Sequence, residues 1–265
     1  MKLREVKADS AQQENEQRRL MAVLAYHKVD EKFELGVTNV KPQRFVQQVS
    51  MLMRHGVELV NSVEPAAYDR QKVFLTFDDG YDCFHRNVVP FLTSIGARAT
   101  VFVVSDFIGK KNTWDLRLSY VPFIHMNETQ LKEISELGFE IGSHSCSHRD
   151  LSRLDRKSLW RELVDSKKKI EDVIGKEVVS MSFPFGRHNH DVAERTREAG
   201  YKILFGLGSS VDDGVIRRVP VYRIDGPAAI RRKAAMNRFE IFKCDLIHSF
   251  ANISALISVR KYSLP

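Results

Sequence analysis

Short apolar runs alternate with longer amphipathic ones along most of this chain, and that alternation sets its architecture. Ala22-Val23-Leu24-Ala25-Tyr26, Val57 to Val60, Val73-Phe74-Leu75, Ala99 to Val104, Phe139-Glu140-Ile141, Val178 to Phe183, Lys202 to Phe205 and Arg217 to Ile224 read as strands. Pro42 opens a helix whose Phe45, Val49, Leu52 and Met53 share one face before Gly56. Residues 84–95 form the next helix, ending near Gly96, and Asn127 caps another that runs to Leu137 and stops at Gly138. A long charged helix spans 157–174 before Gly175, residues 190–199 form one that ends at Gly200, and the chain from Pro227 is basic and helical. Residues 105–126, which include Trp114, read as irregular. Strand followed by helix throughout predicts an α/β fold of parallel βα units, most economically a barrel of about seven or eight strands.

Composition narrows this picture. A chain of 265 residues with 43% hydrophobic and 28% charged residues is long enough for one α/β barrel, and no apolar run reaches bilayer length. The net charge of +7 and pI near 9.3 favour anionic surroundings, but the basic residues are dispersed without a reader motif, so no nucleic-acid partner is expected. Cys83, Cys146 and Cys244 lack CxxC spacing, which argues against a disulfide framework and for a reducing compartment. Residues 1–20 read as a polar tail without an apolar leader, 21–225 as the βα domain and 226–265 as a basic helical extension, giving a cytoplasmic expectation. In that extension Ile241, Phe242, Leu246 and Ile247 are interleaved with basic residues. The segment reads either as a barrel-packing helix or as a weak peripheral contact with the inner membrane face.

The chemistry collects at strand ends. Thr76-Phe77-Asp78-Asp79-Gly80-Tyr81 places two carboxylates where a strand stops, and they converge only if the pleat breaks there. An ordinary Asx turn is the other reading of Asp-Asp-Gly. His144-Ser145-Cys146-Ser147-His148 sets two imidazoles four residues apart, which on a helical turn lie on one face, within reach of one ion. With Asp79 they make a two-histidine, one-carboxylate set; a loop with two exposed histidines is the plainer reading. Cys146 is a further soft donor, although the middle residue of such a turn points away. His27, the Asp78-Asp79 pair, His144 and Pro184 fall at carboxyl ends of four separate strands, the rim where βα barrels build active sites.

These stretches resemble the polysaccharide deacetylases of the carbohydrate esterase 4 type, with the NodB homology domain. Thr76 to Tyr81 is similar to their first signature and His144 to His148 to their second. The likeness continues through Phe102-Val103-Val104, Gly138 to Ser143, Leu151-Ser152 and Phe183-Pro184-Phe185-Gly186. The resemblance implies a distorted (β/α) barrel and metal-dependent removal of N-acetyl groups from an amino sugar in a glycan. It implies Asp78 as general base, and Asp79, His144 and His148 as ligands of one divalent metal, Zn2+ foremost, with Co2+, Ni2+ or Mn2+ as alternatives. Tyr81, Pro184 and Phe185 would meet the substrate, with backbone N–H groups near Tyr81 or Phe185 as oxyanion donors.

Two departures from the family pattern stand out. The arginine often found five residues before the third motif's proline is Val179 here, which leaves Arg187, Arg218 and Arg223 as substitutes. The closing Leu-x-x-His, source of the general acid, is poorly matched by Ile247-His248, whereas Leu24-Ala25-Tyr26-His27 fits it at the opposite end of the chain. That order resembles the circularly permuted deacetylases of poly-N-acetylglucosamine and makes His27 the expected acid. The other histidines, 55, 85, 125, 188 and 190, read as surface or helix residues, with 188 and 190 near enough to the third motif to line the cleft. Trp114 reads as a sugar-stacking or a core residue. Two other functions stay open: a deacylase of another small N-acyl compound, and a catalytically silent carbohydrate-binding protein on the same fold.

Overall fold

The computed structural model describes residues 21–34, 36–61, 72–113, 122–207 and 214–247. Its elements run in the order β1 (Met21–Tyr26), β2 (Lys28–Val29), β3 (Asn39–Val40), α1 (Pro42–Arg54), β4 (Glu58–Val60), β5 (Lys72–Phe77) and α2 (Val89–Ser94). They continue with β6 (Thr100–Val103), α3 (Glu128–Glu136), β7 (Glu140–Ser143), α4 (Arg156–Ile174) and β8 (Ser180–Ser182), then α5 (His190–Glu198), β9 (Ile203–Leu207), β10 (Ile216–Pro220) and α6 (Pro227–Ala234).

All pairings in the main sheet are parallel. The order β1-β10-β9-β8-β7-β6-β5 closes on itself because β1 also pairs with β5, giving a seven-stranded barrel. The distortion comes from β4, which pairs with Lys72 to Phe74 at the start of β5, while β6 pairs with Thr76 and Phe77 at its end. The first strand in the chain therefore sits between β10 and β5, as the permuted order requires, and this places the end of β1 beside the end of β5. Register pairs Tyr26 with Phe77, and the Asp78 N–H donates to the Tyr26 carbonyl at 2.9 Å.

Two-residue periodicity sorts the strand side chains between a helix-facing shell and the barrel axis. Leu24, Tyr26, Leu75, Phe77, Val101, Ile141, Met181, Leu204 and Val219 join the large core under the helices. Val23, Phe74, Phe102 and Phe205 plug the axis, with Phe74 and Phe205 stacked at 6.2 Å and Phe102 tilted on Phe205 at 5.3 Å. Gly142 is required at its height, since a Cβ there would lie 2.5 Å from the Phe102 ring and 2.6 Å from Ser180 Oγ. Further along β5, β7, β8 and β10 the inward positions become polar. Thr76, Asp78, Ser182, Arg218 and His144 stand on the aromatic plug and form the floor of the rim.

The helices follow their sequence signals closely. Asn127 and Gln130 form a reciprocal capping box, and Gly175 ends α4 in the left-handed region. In α1 the buried face is Phe45, Gln48, Val49 and Leu52, while Met53 is exposed. Gln48 holds an inward place because it accepts from Tyr26 Oη at 3.0 Å and donates to the Asp225 carbonyl at 2.7 Å. The expected helix over 84–95 contains a π-helical turn, Phe84–Val88, before α2. The last strand stops at Pro220, where Val221 and Tyr222 turn into the core. Helix α6 packs against α1 and β1, so the beginning of the basic C-terminal segment belongs to the barrel's outer layer. Among the described residues no helix is long and apolar enough to cross a membrane. The expectations for residues 1–20, Trp114 and His248 lie outside the described residues.

Candidate active site

Asp78 continues the inward parity of β5, whereas the next side chain would point outward. Asp79 does not, because its φ of 71° and the 69° of Gly80 break the pleat and turn the second carboxylate back over the rim. A left-handed conformation at a non-glycine residue costs on the order of 1–2 kcal/mol and persists where surrounding structure fixes it. Here the Asp79 carbonyl receives His125 Nδ1 at 2.7 Å, and the Met126 N–H donates to the Gly80 carbonyl at 2.9 Å. His125, expected at the surface, is buried against the Tyr81 ring at 4.6 Å, where it braces the Asp79 turn.

The second motif reaches the same point by a different route from the expected helical turn. Residues 144–148 form a bend in which Ser145 and His148 take φ values of 67° and 59°. His144 is fixed by its own N–H on the Val103 carbonyl at 2.8 Å and by Nδ1 on the Ser182 carbonyl at 2.7 Å. That second bond makes Nδ1 the protonated nitrogen and presents Nε2 as a lone pair to the rim. His148 comes back over His144 with ring centroids 5.0 Å apart, its N–H donating to Ser145 Oγ at 3.1 Å.

Asp79 Oδ1 lies 3.7 Å from His144 Nε2 and 3.4 Å from His148 Nε2, and the three donor atoms lie within 4.8 Å of one another. Two ligands held tetrahedrally at about 2.0–2.1 Å from one zinc ion are separated by roughly 3.3–3.4 Å. The spacing and the donor chemistry, two imidazoles and one carboxylate, thus fit a single divalent cation with positions left for water and substrate. Cys146 does not join them: its Sγ turns to the Arg161 carbonyl at 3.8 Å, and burial pushes its pKa up to about 12.

Asp78 stands beside this set in the grip of Arg218, buried inside the barrel. Nη1 and Nη2 each meet one carboxylate oxygen at 2.8 Å, while Thr76 Oγ1 at 3.2 Å and Ser182 Oγ at 2.7 Å complete the guanidinium's partners. Burial alone would raise the Asp78 pKa; the Arg218 charge and its hydrogen bonds outweigh it and hold the carboxyl well below the usual range. Of the three candidate arginines, Arg187 pairs instead with Asp150 at 3.0 Å, and Arg223 donates to the Glu34 carbonyl at 2.8 Å. The alternation of Val215, Val219 and Val221 around Arg218 carried the signal that separates it, since those valines face the helices.

His27 Nε2 approaches Asp78 Oδ2 at 4.0 Å, with the side chain 22% exposed. Burial pushes its pKa down to about 4; Asp78 opposes that shift, and Arg218, Lys28 and His144 add to it. The resting imidazole is therefore neutral at pH 7. Burial lowers the His144 pKa as well.

The remaining expected contacts separate. Phe185 has φ 59° and sets its ring edge-on to His148 at 4.8 Å, on the cleft wall, with Pro184 buried behind it. Tyr81 is fully buried, its hydroxyl accepting from Asn112 Nδ2 at 2.7 Å, so its ring packs under the rim and not in the cleft. His188 stacks on Phe183 at 5.0 Å, and His190 Nε2 pairs with Glu194 at 3.1 Å on α5. His85 meets Glu133 at 2.9 Å, and His55 caps its own helix on the Met51 carbonyl at 2.9 Å.

A closed parallel barrel with an Asp-Asp turn and a His-x-x-x-His bend on its carboxyl rim defines a class. Residues 66–204 match the polysaccharide deacetylase family, just over half of the chain, and the protein belongs to that family. YxkH of Bacillus subtilis, which bears the polysaccharide deacetylase name, is 26% identical over 205 residues, covering 75% of this chain and 67% of that one. The poly-beta-1,6-N-acetyl-D-glucosamine N-deacetylase of Staphylococcus aureus strain MRSA252 is 22% identical over 189 residues, 66% of this chain; the match spans 63% of the staphylococcal enzyme's length. The Streptococcus pyogenes deacetylase PplD, solved with acetate, has the same fold with a TM-score of 0.69 at 18% identity, over 81% of this chain and 97% of its own. The family match ends before β10 and begins after β1, so Arg218 and His27 both lie outside it.

Proposed function

We propose that this protein hydrolyses the N-acetyl group of an amino sugar within a glycan, with Asp79, His144 and His148 holding one divalent cation, Zn2+ foremost. The observation that carries the reading is the convergence of that donor set beside a carboxylate and an imidazole at one mouth of the barrel. When bound, such a cation supplies Lewis acidity toward the acetyl carbonyl and acidifies a water.

The chain's own groups do the rest. Asp78, kept ionised by Arg218, takes a proton from the attacking water as its oxygen bonds to the carbonyl carbon. A carboxylate held this acidic releases the proton readily, and the neutral His27, 4.0 Å away, is placed to carry it to the departing nitrogen. The C–N bond then breaks, leaving acetate and a free amine. The Phe185 turn, whose ring stands 4.8 Å from His148, would supply backbone support for the oxyanion. The staphylococcal relative is named for poly-beta-1,6-N-acetyl-D-glucosamine, which supports a β-linked N-acetylglucosamine chain as the first substrate to try.

The test is acetate release from N-acetylglucosamine oligomers by the purified chain, with chelator and after re-adding Zn2+, Co2+, Ni2+ or Mn2+. Release that chelator abolishes and metal restores supports the reading. Release only from small non-sugar N-acyl amides would move the substrate class, and saccharide binding without release would make the protein a silent carbohydrate binder.

A further inference from the structure

We infer that Glu162, on α4, is the positioning residue that fixes His148 at its working distance from His144 and Asp79, an inference that rests on the metal-dependent reading above. The buried face of α4 is Leu159, Leu163, Ser166, Ile170 and Val173, and Glu162 intrudes among them, 7% exposed. A glutamate in such a place needs donors, and it finds them in the metal-binding bend. Oε2 accepts from the Cys146 N–H at 2.9 Å and the Ser147 N–H at 3.0 Å, and Oε1 accepts from the Ser147 hydroxyl. All three donors belong to the two residues between the left-handed Ser145 and the left-handed His148.

The opposite side of the bend is tied to the loop after β6. The Ser105 N–H donates to the Ser145 carbonyl at 3.1 Å, and the Asp106 N–H to the Cys146 carbonyl at 3.0 Å. Carbonyls of the bend are thus held from one side and its N–H groups from the other, by a carboxylate whose charge strengthens each bond. His144 does not depend on this clamp, since β6 and Ser182 fix it separately. His148 does: it follows directly on 145–147, with its N–H on Ser145 Oγ and its ring against Phe185, so the course of that bend sets where its imidazole stands. Glu162 therefore acts on the second imidazole alone, without touching ion or substrate.

Chelator-competition titration of Zn2+ on the purified full chain tests this, comparing wild type with Glu162→Ala and Glu162→Gln, alongside thermal melts of the metal-free proteins. Removal of an outer support typically weakens metal affinity about 10- to 100-fold. Glu162→Ala is expected in that range, and Glu162→Gln, which keeps an acceptor oxygen without the charge, between it and wild type. Excess Zn2+ should return most of the Glu162→Ala turnover. A lower melting temperature with Zn2+ affinity within about twofold of wild type would make Glu162 merely structural and overturn the inference. If Glu162→Ala does not fold, Glu162→Gln decides: wild-type affinity there overturns the inference, and weakened affinity supports it. Failure of wild type itself to take up Zn2+ would sink the metal-dependent reading, a result distinct from equal binding by all three proteins.

Discussion

Arg218, from the last strand of the barrel, holds Asp78, from the end of β5, through two parallel hydrogen bonds of 2.8 Å, with both side chains almost wholly buried. The planar guanidinium fixes the carboxylate's rotation as well as its charge, which a lysine at the same place would not do. It also rests over the Phe102 ring at 5.4 Å, so the aromatic plug of the barrel sets the height of the Asp78 carboxylate.

Removing the guanidinium should therefore cost stability and turnover together. Arg218→Met leaves a buried carboxylate uncompensated, an effect worth about 3–5 kcal/mol. For a domain of this size that lowers the melting temperature by about 6 °C or more. Arg218→Lys should recover part of the stability but little of the activity. A melt within about a degree of wild type for Arg218→Met would contradict the pair's role.

Asp78→Asn should keep the metal set and lose the base. Turnover is expected to fall roughly 10²- to 10⁴-fold while bound metal per chain stays unchanged, checked by steady-state kinetics and elemental analysis on one preparation. Unchanged turnover would remove Asp78 from the proton path.

His27→Ala separates proton delivery from the remaining chemistry. An amine must be protonated to leave, whereas an activated phenolate need not be. The variant should lose about 10²-fold or more on an N-acetyl sugar, but less than about tenfold on an aryl acetate ester. Equal losses on both substrates would assign His27 a structural role.

Acid should destabilise the metal-free protein in a defined window. The His27 pKa is pushed down to about 4 from an ordinary value near 6.5, so between those limits the unfolded chain binds the extra proton and stability rises with pH. The contribution is complete above pH 6.5 and falls away toward pH 4, amounting to about 3 kcal/mol for this residue. The lowered His144 pKa acts in the same direction, while the stability that the depressed Asp78 carboxyl adds is present throughout this window and is lost only below the ordinary carboxylate range. Denaturant unfolding with chelator at pH 4.5 and 7 measures this, and His27→Ala should flatten the slope. Stability that stays level or rises on acidification would contradict the shift.

Much of this architecture was legible before any coordinates. The strand ends that deliver His27, Asp78 and His144 follow from apolar runs bounded by turn residues, because a parallel strand buried on both faces has few other sequence patterns open to it. The closure of β1 between β10 and β5 was legible too, through the Leu24 to His27 pattern. Local conformation was harder. The pleat break at Asp79 is foreshadowed by Asp-Asp-Gly, but positive φ at Ser145 and His148 goes with partners distant in sequence, such as Glu162, so spacing alone suggests a helical turn where the chain forms a bend. Gln48 in the buried face of α1 depends likewise on Tyr26 and Asp225, contacts that helical periodicity does not encode.

The most direct measurement is the metal content of the purified chain beside that of Asp79→Ala, His144→Ala and His148→Ala, after equilibration with limiting Zn2+ and removal of unbound ion. One equivalent in wild type, with little or none in each variant, is the result the account predicts. A wild-type chain that retains no divalent metal, or variants that retain as much as wild type, would contradict the shared site on which the hydrolysis depends.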